Sequence, residues 1–316
     1  MSRTIAILWT ILTMVLMPVF AYASGPQDYE GNGQSSPQGG LIANLLQESG
    51  TAFGYFYEDN YFLFTATNDL NREALADDPW ATGARDMEIK YQISLALPIS
   101  RGLAGDNSVL GVSYTQCSWW QALNPEISSP FRETNYEPQL FLGWATDYSI
   151  AGWSLQEVEV GLNHQSNGRS GSASRGWNRG YLRLMAQKDN WQIDLKPWFL
   201  IGEPDPVTNP NITKYLGYYR LKISHSIGKS LICLKGRYNW NTGYGGAELN
   251  WSYPISPNTQ FYAQLFSGYS ESLIDYNYNQ TRFGIGLTVN KDWRKPMEEI
   301  LASGVSLYRI HIVERL

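Results

Sequence analysis

The chain has 316 residues, a formal net charge of −5, 43% apolar and 14% aromatic residues, and 29 glycines. Loss of Arg3 with an N-terminal leader brings the charge to about −6, which excludes nucleic acid as an expected partner. After the leader no apolar run reaches the ~18 residues that a membrane-crossing helix needs, so a helical membrane protein is excluded as well.

In residues 1–23 Arg3 is the sole charge, Ile5 to Phe20 is an apolar run, and Ala21-Tyr22-Ala23 places small residues where a signal peptidase reads. These residues predict a secretory signal peptide. Residues 24–54 are rich in Gln, Gly, Ser and Pro without a sustained period, which predicts a polar, loosely ordered N-terminal arm. From about Asn60 to Trp293 the period is two, and 55–293 is read as one domain.

The clearest alternation runs from Met87 to Leu97, where Met87, Ile89, Tyr91, Ile93, Leu95 and Leu97 interleave with Glu88, Lys90, Gln92, Ser94 and Ala96. Period alone does not separate a soluble sandwich from a membrane barrel. Strand length does: segments of ~10 residues cross a bilayer when tilted, whereas sandwich strands run to ~5–6. Twelve such segments are predicted, at about 60–68, 87–99, 107–120, 135–148, 155–167, 177–190, 191–201, 215–227, 230–243, 245–255, 259–272 and 280–293. An even count with Tyr and Trp near many strand ends predicts an all-β, twelve-stranded transmembrane antiparallel barrel with a polar interior. Such a barrel belongs in the outer membrane of a Gram-negative cell. Cys117 and Cys233 fall on the third and ninth strands, roughly opposite each other and too far apart to bridge. Residues 294–316 form a C-terminal extension for which the sequence offers no role.

Chemistry concentrates in Asn163-His164-Gln165-Ser166-Asn167-Gly168-Arg169-Ser170. Of the three histidines, His311 lies in the extension and His225 has no serine two residues away. On the fifth strand Val158, Val160, Leu162, His164 and Ser166 share the apolar, lipid-facing side. His164 and Ser166 are then ~7 Å apart along the strand. Asn178 continues the outward face of the sixth strand (Gly180, Leu182, Leu184) and meets His164 across the hairpin. The set permits acyl transfer, with Ser166 attacking an ester carbonyl, His164 taking and returning the proton, and Asn178 fixing the imidazole. Backbone N–H groups at Ser166 and Gly168 are candidates for an oxyanion hole. On a lipid-bathed face the substrate class is the ester of a membrane lipid.

At these residues, and at Ser174–Arg179, Arg132–Pro138, Tyr238–Glu248 and Glu271–Tyr276, the chain resembles the outer membrane phospholipase A family over nearly the whole barrel. The resemblance implies a calcium-dependent hydrolase that releases fatty acids from the first and second positions of phospholipids and lysophospholipids, with a Ser166/His164/Asn178 triad. It also implies activation by homodimerisation through the outer barrel faces, with calcium at the interface. The implied ligands are the Arg169 carbonyl and Ser174 hydroxyl of one chain and the Ser128 carbonyl of the other, oxygen donors that suit a hard cation. Gln116, on the outward face with Leu110, Val112 and Tyr114, matches the family's dimer glutamine, an amide costly in lipid unless it is partnered. Two features depart from the family. Gly171 stands where its members carry an aspartate, which predicts weaker calcium binding, and the extension after Trp293 is additional. A catalytically inactive barrel, serving as a narrow pore or scaffold, remains the alternative. An outer-membrane protease ranks last, because no acidic and histidine pairs stand in the loops.

Overall fold

The computed structural model describes residues 40–46, 55–203, 206–256 and 259–289. The signal peptide, most of the polar arm, Trp293 and the extension 294–316 lie outside the described residues. Twelve long strands follow the period-two segments: β1 (Tyr61–Thr67), β2 (Met87–Arg101), β3 (Ser108–Trp120), β4 (Phe131–Ile150), β5 (Trp153–Ser166), β6 (Gly176–Lys188), β7 (Trp191–Leu200), β8 (Tyr219–Ile227), β9 (Ser230–Asn239), β10 (Tyr244–Pro254), β11 (Thr259–Tyr269) and β12 (Asn279–Val289). Each pairs antiparallel with its neighbour in sequence, and β12 returns to β1 through pairs such as Phe283↔Ala66 and Leu287↔Phe62. The sheet is therefore a closed barrel without free edges, which satisfies every strand's backbone groups in a medium that offers none.

Solvent exposure is inverted relative to a soluble protein. On β1 Phe62 and Phe64 are exposed while Leu63 is buried, and on β2 Glu88 and Lys90 are buried while Met87, Ile93 and Leu97 are exposed. Water cannot be the medium around such a surface; an apolar outside with charges within is the signature of a lipid-facing barrel. The loops are unequal. Segments such as 68–86, 121–130 and 201–218 join strands at one end, and tight turns join them at the other. One of these turns is Ala151-Gly152, both at positive φ (52° and 79°), which gives the twist that a two-residue hairpin needs.

Ion pairs fill the lumen. Arg132 binds Glu88 (2.9 Å) and Asp275 (2.7 Å), Arg282 binds Glu88 (2.9 Å) and Glu271 (2.8 Å), and Arg183 binds Asp194 (2.7 Å). These five side-chain pairings offset the cost of burying the charges they join.

Two short helices depart from the sequence reading. α1 (Leu41–Leu46) belongs to the arm read as loosely ordered, yet it lies inside the barrel with Ile42 and Leu45 fully buried. The Ile42 N–H donates to Glu157 Oε1 (2.8 Å) and Arg101 Nε donates to the Leu45 carbonyl (2.8 Å). Gly143 makes the approach possible: a Cβ there would lie 2.4 Å from Ile42 Cδ1. Six residues are too few for a helical period to show in sequence. α2 (Ile212–Leu216) displaces the start of the eighth strand from 215 to Tyr219. Cys117 and Cys233 are free thiols, with Cys117 Sγ 3.6 Å from the Tyr61 hydroxyl.

Candidate active site

β5 and β6 pair in a register that sets His164 directly opposite Asn178 and Ser166 opposite Gly176. Because side chains alternate, these four positions share the outward face with Leu162, which is exposed among the lipid-facing residues. Asn178 Oδ1 lies 2.8 Å from His164 Nδ1, and both side chains are exposed. An amide oxygen accepts only, so Nδ1 carries the proton in this contact and Nε2 is left as the acceptor. Ser166 lies two residues along the same face, half-buried, without a hydrogen bond to His164 among those of the described residues. The structure thus joins two of the three expected residues and aligns the third. Gly176 lies beside it: a Cβ there would be in ordinary van der Waals contact with Ser166 Cβ at 3.4 Å.

The loop 167–175 above this pair is held from within. Asn167 is buried, its Oδ1 accepts from the N–H of Arg175 (2.9 Å) and Arg169 (3.3 Å), and its Nδ2 donates to the Ala173 carbonyl (2.9 Å). Gly168 has φ +65°, and a Cβ there would lie 3.1 Å from the Tyr136 ring, so glycine serves both the turn and the fit. The Arg169 side chain turns away from the lipid face to Asp78 (2.8 Å) and to the Arg132 carbonyl (3.3 Å). Ser172 Oγ bonds Asp77. This clamp from the β1–β2 loop escaped the sequence, because nothing in the spacing links residues 77 and 78 to residue 169. Asn167 was within reach, since it continues the inward parity of Asn163 and Gln165.

The expected calcium donors are dispersed over two loops. Ser174 caps the turn that contains Gly171, with its N–H donating to the Gly171 carbonyl (3.2 Å). Ser128 is exposed on the β3–β4 loop, and its carbonyl accepts from Trp120 Nε1 (2.9 Å). A carbonyl has a second lone pair, so this bond leaves Ser128 able to donate to a cation. Gly171 is at φ +61° with open space around it. No group of three or more His, Cys, Asp or Glu residues suited to a metal occurs among the described residues. Gln116 faces outward on β3, where Tyr114 Oη donates to its Oε1 (3.0 Å) and its Nε2 donates to Ser118 Oγ (3.2 Å). The amide therefore meets part of its hydrogen-bonding need within one chain, and one N–H remains for a partner.

Comparison with known proteins decides the family. The model of the family described as Phospholipase A1 matches residues 45–289. The chain belongs to the phospholipase A1 family. It is an outer membrane barrel and an enzyme of the phospholipase A1 class. Among its relatives, Phospholipase A1 of Escherichia coli K12 is 55% identical over 281 residues, covering 89% of this chain and 96% of the relative. That of Klebsiella pneumoniae is 57% identical over 265 residues, covering 84% and 92%. The barrel also superimposes on solved members of the family. A calcium-bound dimer of the Salmonella typhi outer membrane phospholipase matches with TM-score 0.78 and 57% identity over 81% of this chain and 99% of that one. The E. coli enzyme matches with TM-score 0.77, 57% identity and the same coverage. A third, an asparagine-to-alanine active-site mutant of the E. coli enzyme, matches with TM-score 0.78 and 58% identity.

Proposed function

We propose that this chain is a calcium-dependent phospholipase that hydrolyses acyl esters at both the first and second glycerol positions of phospholipids and lysophospholipids. The observation that carries the reading is the His164–Asn178 hydrogen bond of 2.8 Å on the lipid-facing surface, two residues from Ser166. Ser166 Oγ attacks the ester carbonyl while His164 Nε2 takes its proton; His164 then returns the proton to the leaving alcohol. Water repeats the cycle on the acyl-enzyme and releases the fatty acid. Asn178 holds the imidazole with its Nδ1 protonated and contributes orientation rather than charge. N–H groups at Ser166 and Gly168 receive the developing oxyanion.

The donor set fits a hard cation: the Arg169 carbonyl and Ser174 hydroxyl on one chain, with the partner subunit's Ser128 carbonyl completing the site. With neutral oxygens alone on each chain, the site is a half-site that needs the second copy. When bound, calcium would supply positive charge near the developing oxyanion. The family's calcium-bound dimer supports activation by dimerisation. The Gln116 face supports its placement, since one amide N–H is available in an apolar surrounding.

A serine-directed sulfonyl fluoride separates this reading from the inactive barrel. With calcium present, labelling should map to Ser166 and be lost in His164→Ala. A folded parent that takes up no label would support the inactive scaffold.

A further inference from the structure

The lumen behind the β5–β6 hairpin encloses a polar cavity of about 170 Å³, well above the ~10–15 Å³ required by one water. Six cationic and four carboxylate side chains line it. Each carboxylate is matched: Glu271 with Lys90 (3.2 Å), Glu248 with Lys235 (2.7 Å), Glu137 with Arg179 (3.0 Å) and Glu58 with Arg220 (2.7 Å). Lys196 and Arg237 form no direct ion pair among the described residues; carboxylates act on them only at longer range, Glu137 and Glu159 on Lys196 and Glu248 and Glu137 on Arg237. Lys196 is 95% buried, donates to Gln139 Oε1 (2.5 Å) and lies 3.9 Å from the centre of the Tyr181 ring. Arg237 donates to the Ser270 carbonyl. The Nε atoms of Arg179 and Arg220, also on the lining, are buried without a hydrogen-bond partner in the described structure.

We propose that this cavity binds a small tetrahedral oxyanion of the phosphate class. Two cations without a direct ion-pair partner, Lys196 buried and Arg237 half-buried, carry a desolvation cost that an anion would offset. Guanidinium forks and a lysine point charge together suit an oxyanion's several acceptors. The unpartnered Nε–H groups would supply further donors. The site abuts the active face from the inside: Arg179 neighbours Asn178 in sequence and donates to Gln165 Oε1 (3.4 Å), between His164 and Ser166. An anion there would brace the hairpin that carries the triad.

The test is isothermal titration of inorganic phosphate into the detergent-solubilised full-length protein, at constant ionic strength and with chelator so that calcium takes up no phosphate. The expected result is saturable binding of one phosphate per chain, weakened at least about tenfold in Lys196→Met and in Arg237→Gln. Lys222→Met, which removes the cation paired with Asp59 (3.0 Å) away from the cavity lining, should bind as the parent does. Lys196→Arg, which keeps the charge, should retain binding. If Lys196→Met fails to fold, Arg237→Gln and Lys196→Arg decide. No saturable binding by the parent, or equal affinity in the parent and Arg237→Gln, overturns the proposal.

Discussion

An amide in the third position of a triad can orient the imidazole but cannot neutralise it. Asn178→Ala should therefore lower the rate of fatty-acid release by about 10–100-fold, and Asn178→Asp should retain most of it, as read by pH-stat titration of initial rates. A loss in Asn178→Ala as deep as that in Ser166→Ala would contradict a purely orienting role. Residue 171 offers a second test. At φ +61° with no atom within 4 Å of a Cβ, it can accept a short side chain at the modest cost of left-handed backbone, which aspartate tolerates better than most residues. Gly171→Asp should lower the calcium concentration for half-maximal release by about 3–10-fold, because a charged ligand tightens a site of neutral oxygens. An unchanged calcium profile would place residue 171 outside the metal's reach. Much at this scale was legible in the sequence: parity alone set His164, Ser166 and Asn178 on one face. The contacts of Arg169 with Asp78 and of Ser172 with Asp77 were not, since they join loops about ninety residues apart in sequence.

At the scale of elements, β5 must lie flush against both neighbours for His164 to meet Asn178. Gly161 shows how close that fit is: a Cβ there would lie 2.6 Å from the Leu140 carbonyl on β4 and 2.7 Å from the Tyr181 ring on β6. Gly161→Ala should destabilise the barrel by about 1–3 kcal/mol, because backbone rather than a flexible side chain must give way. Urea unfolding in detergent measures this, and a parent-like midpoint would contradict it. Gln116→Leu, by contrast, removes an outward amide whose present partners are Tyr114 and Ser118 on its own strand. It should leave folding intact and weaken calcium-dependent dimerisation by about three- to tenfold, the loss of one hydrogen bond in lipid, as read by sedimentation equilibrium. Unaltered dimerisation would remove Gln116 from the interface. The strands themselves were legible because period two persists wherever lipid lies on one side and a polar lumen on the other. The α1 helix was not, since its burial depends on Gly143 and Glu157, more than ninety residues further along the chain.

In the whole molecule paired charges fill the lumen beside an apolar cluster built around Ile42, Leu45, Tyr57 and Phe141, and acid should loosen the paired charges. Burial alone would raise the Glu271 carboxyl, but Arg282, Lys90 and Arg132 hold it down to about 2. A carboxylate with a depressed folded pKa stabilises the fold above its unfolded value and loses that contribution as pH falls toward its folded value. The Glu271 contribution to urea resistance, read as the difference between the parent and Glu271→Gln, should thus be flat above about pH 5 and fall between about pH 4.5 and 2. An identical acid profile in that variant would assign the loss to other pairs.

The proposed activity is cleavage of phospholipid esters by a lipid-facing Ser166/His164/Asn178 set, switched on by calcium. Its most direct test is fatty-acid release from mixed phospholipid micelles by the purified protein, with calcium and with chelator, for the parent, Ser166→Ala and His164→Ala. Release should require calcium and be abolished by either substitution. Release that persists in a folded Ser166→Ala, or a folded parent that releases nothing with calcium, would contradict the proposed activity.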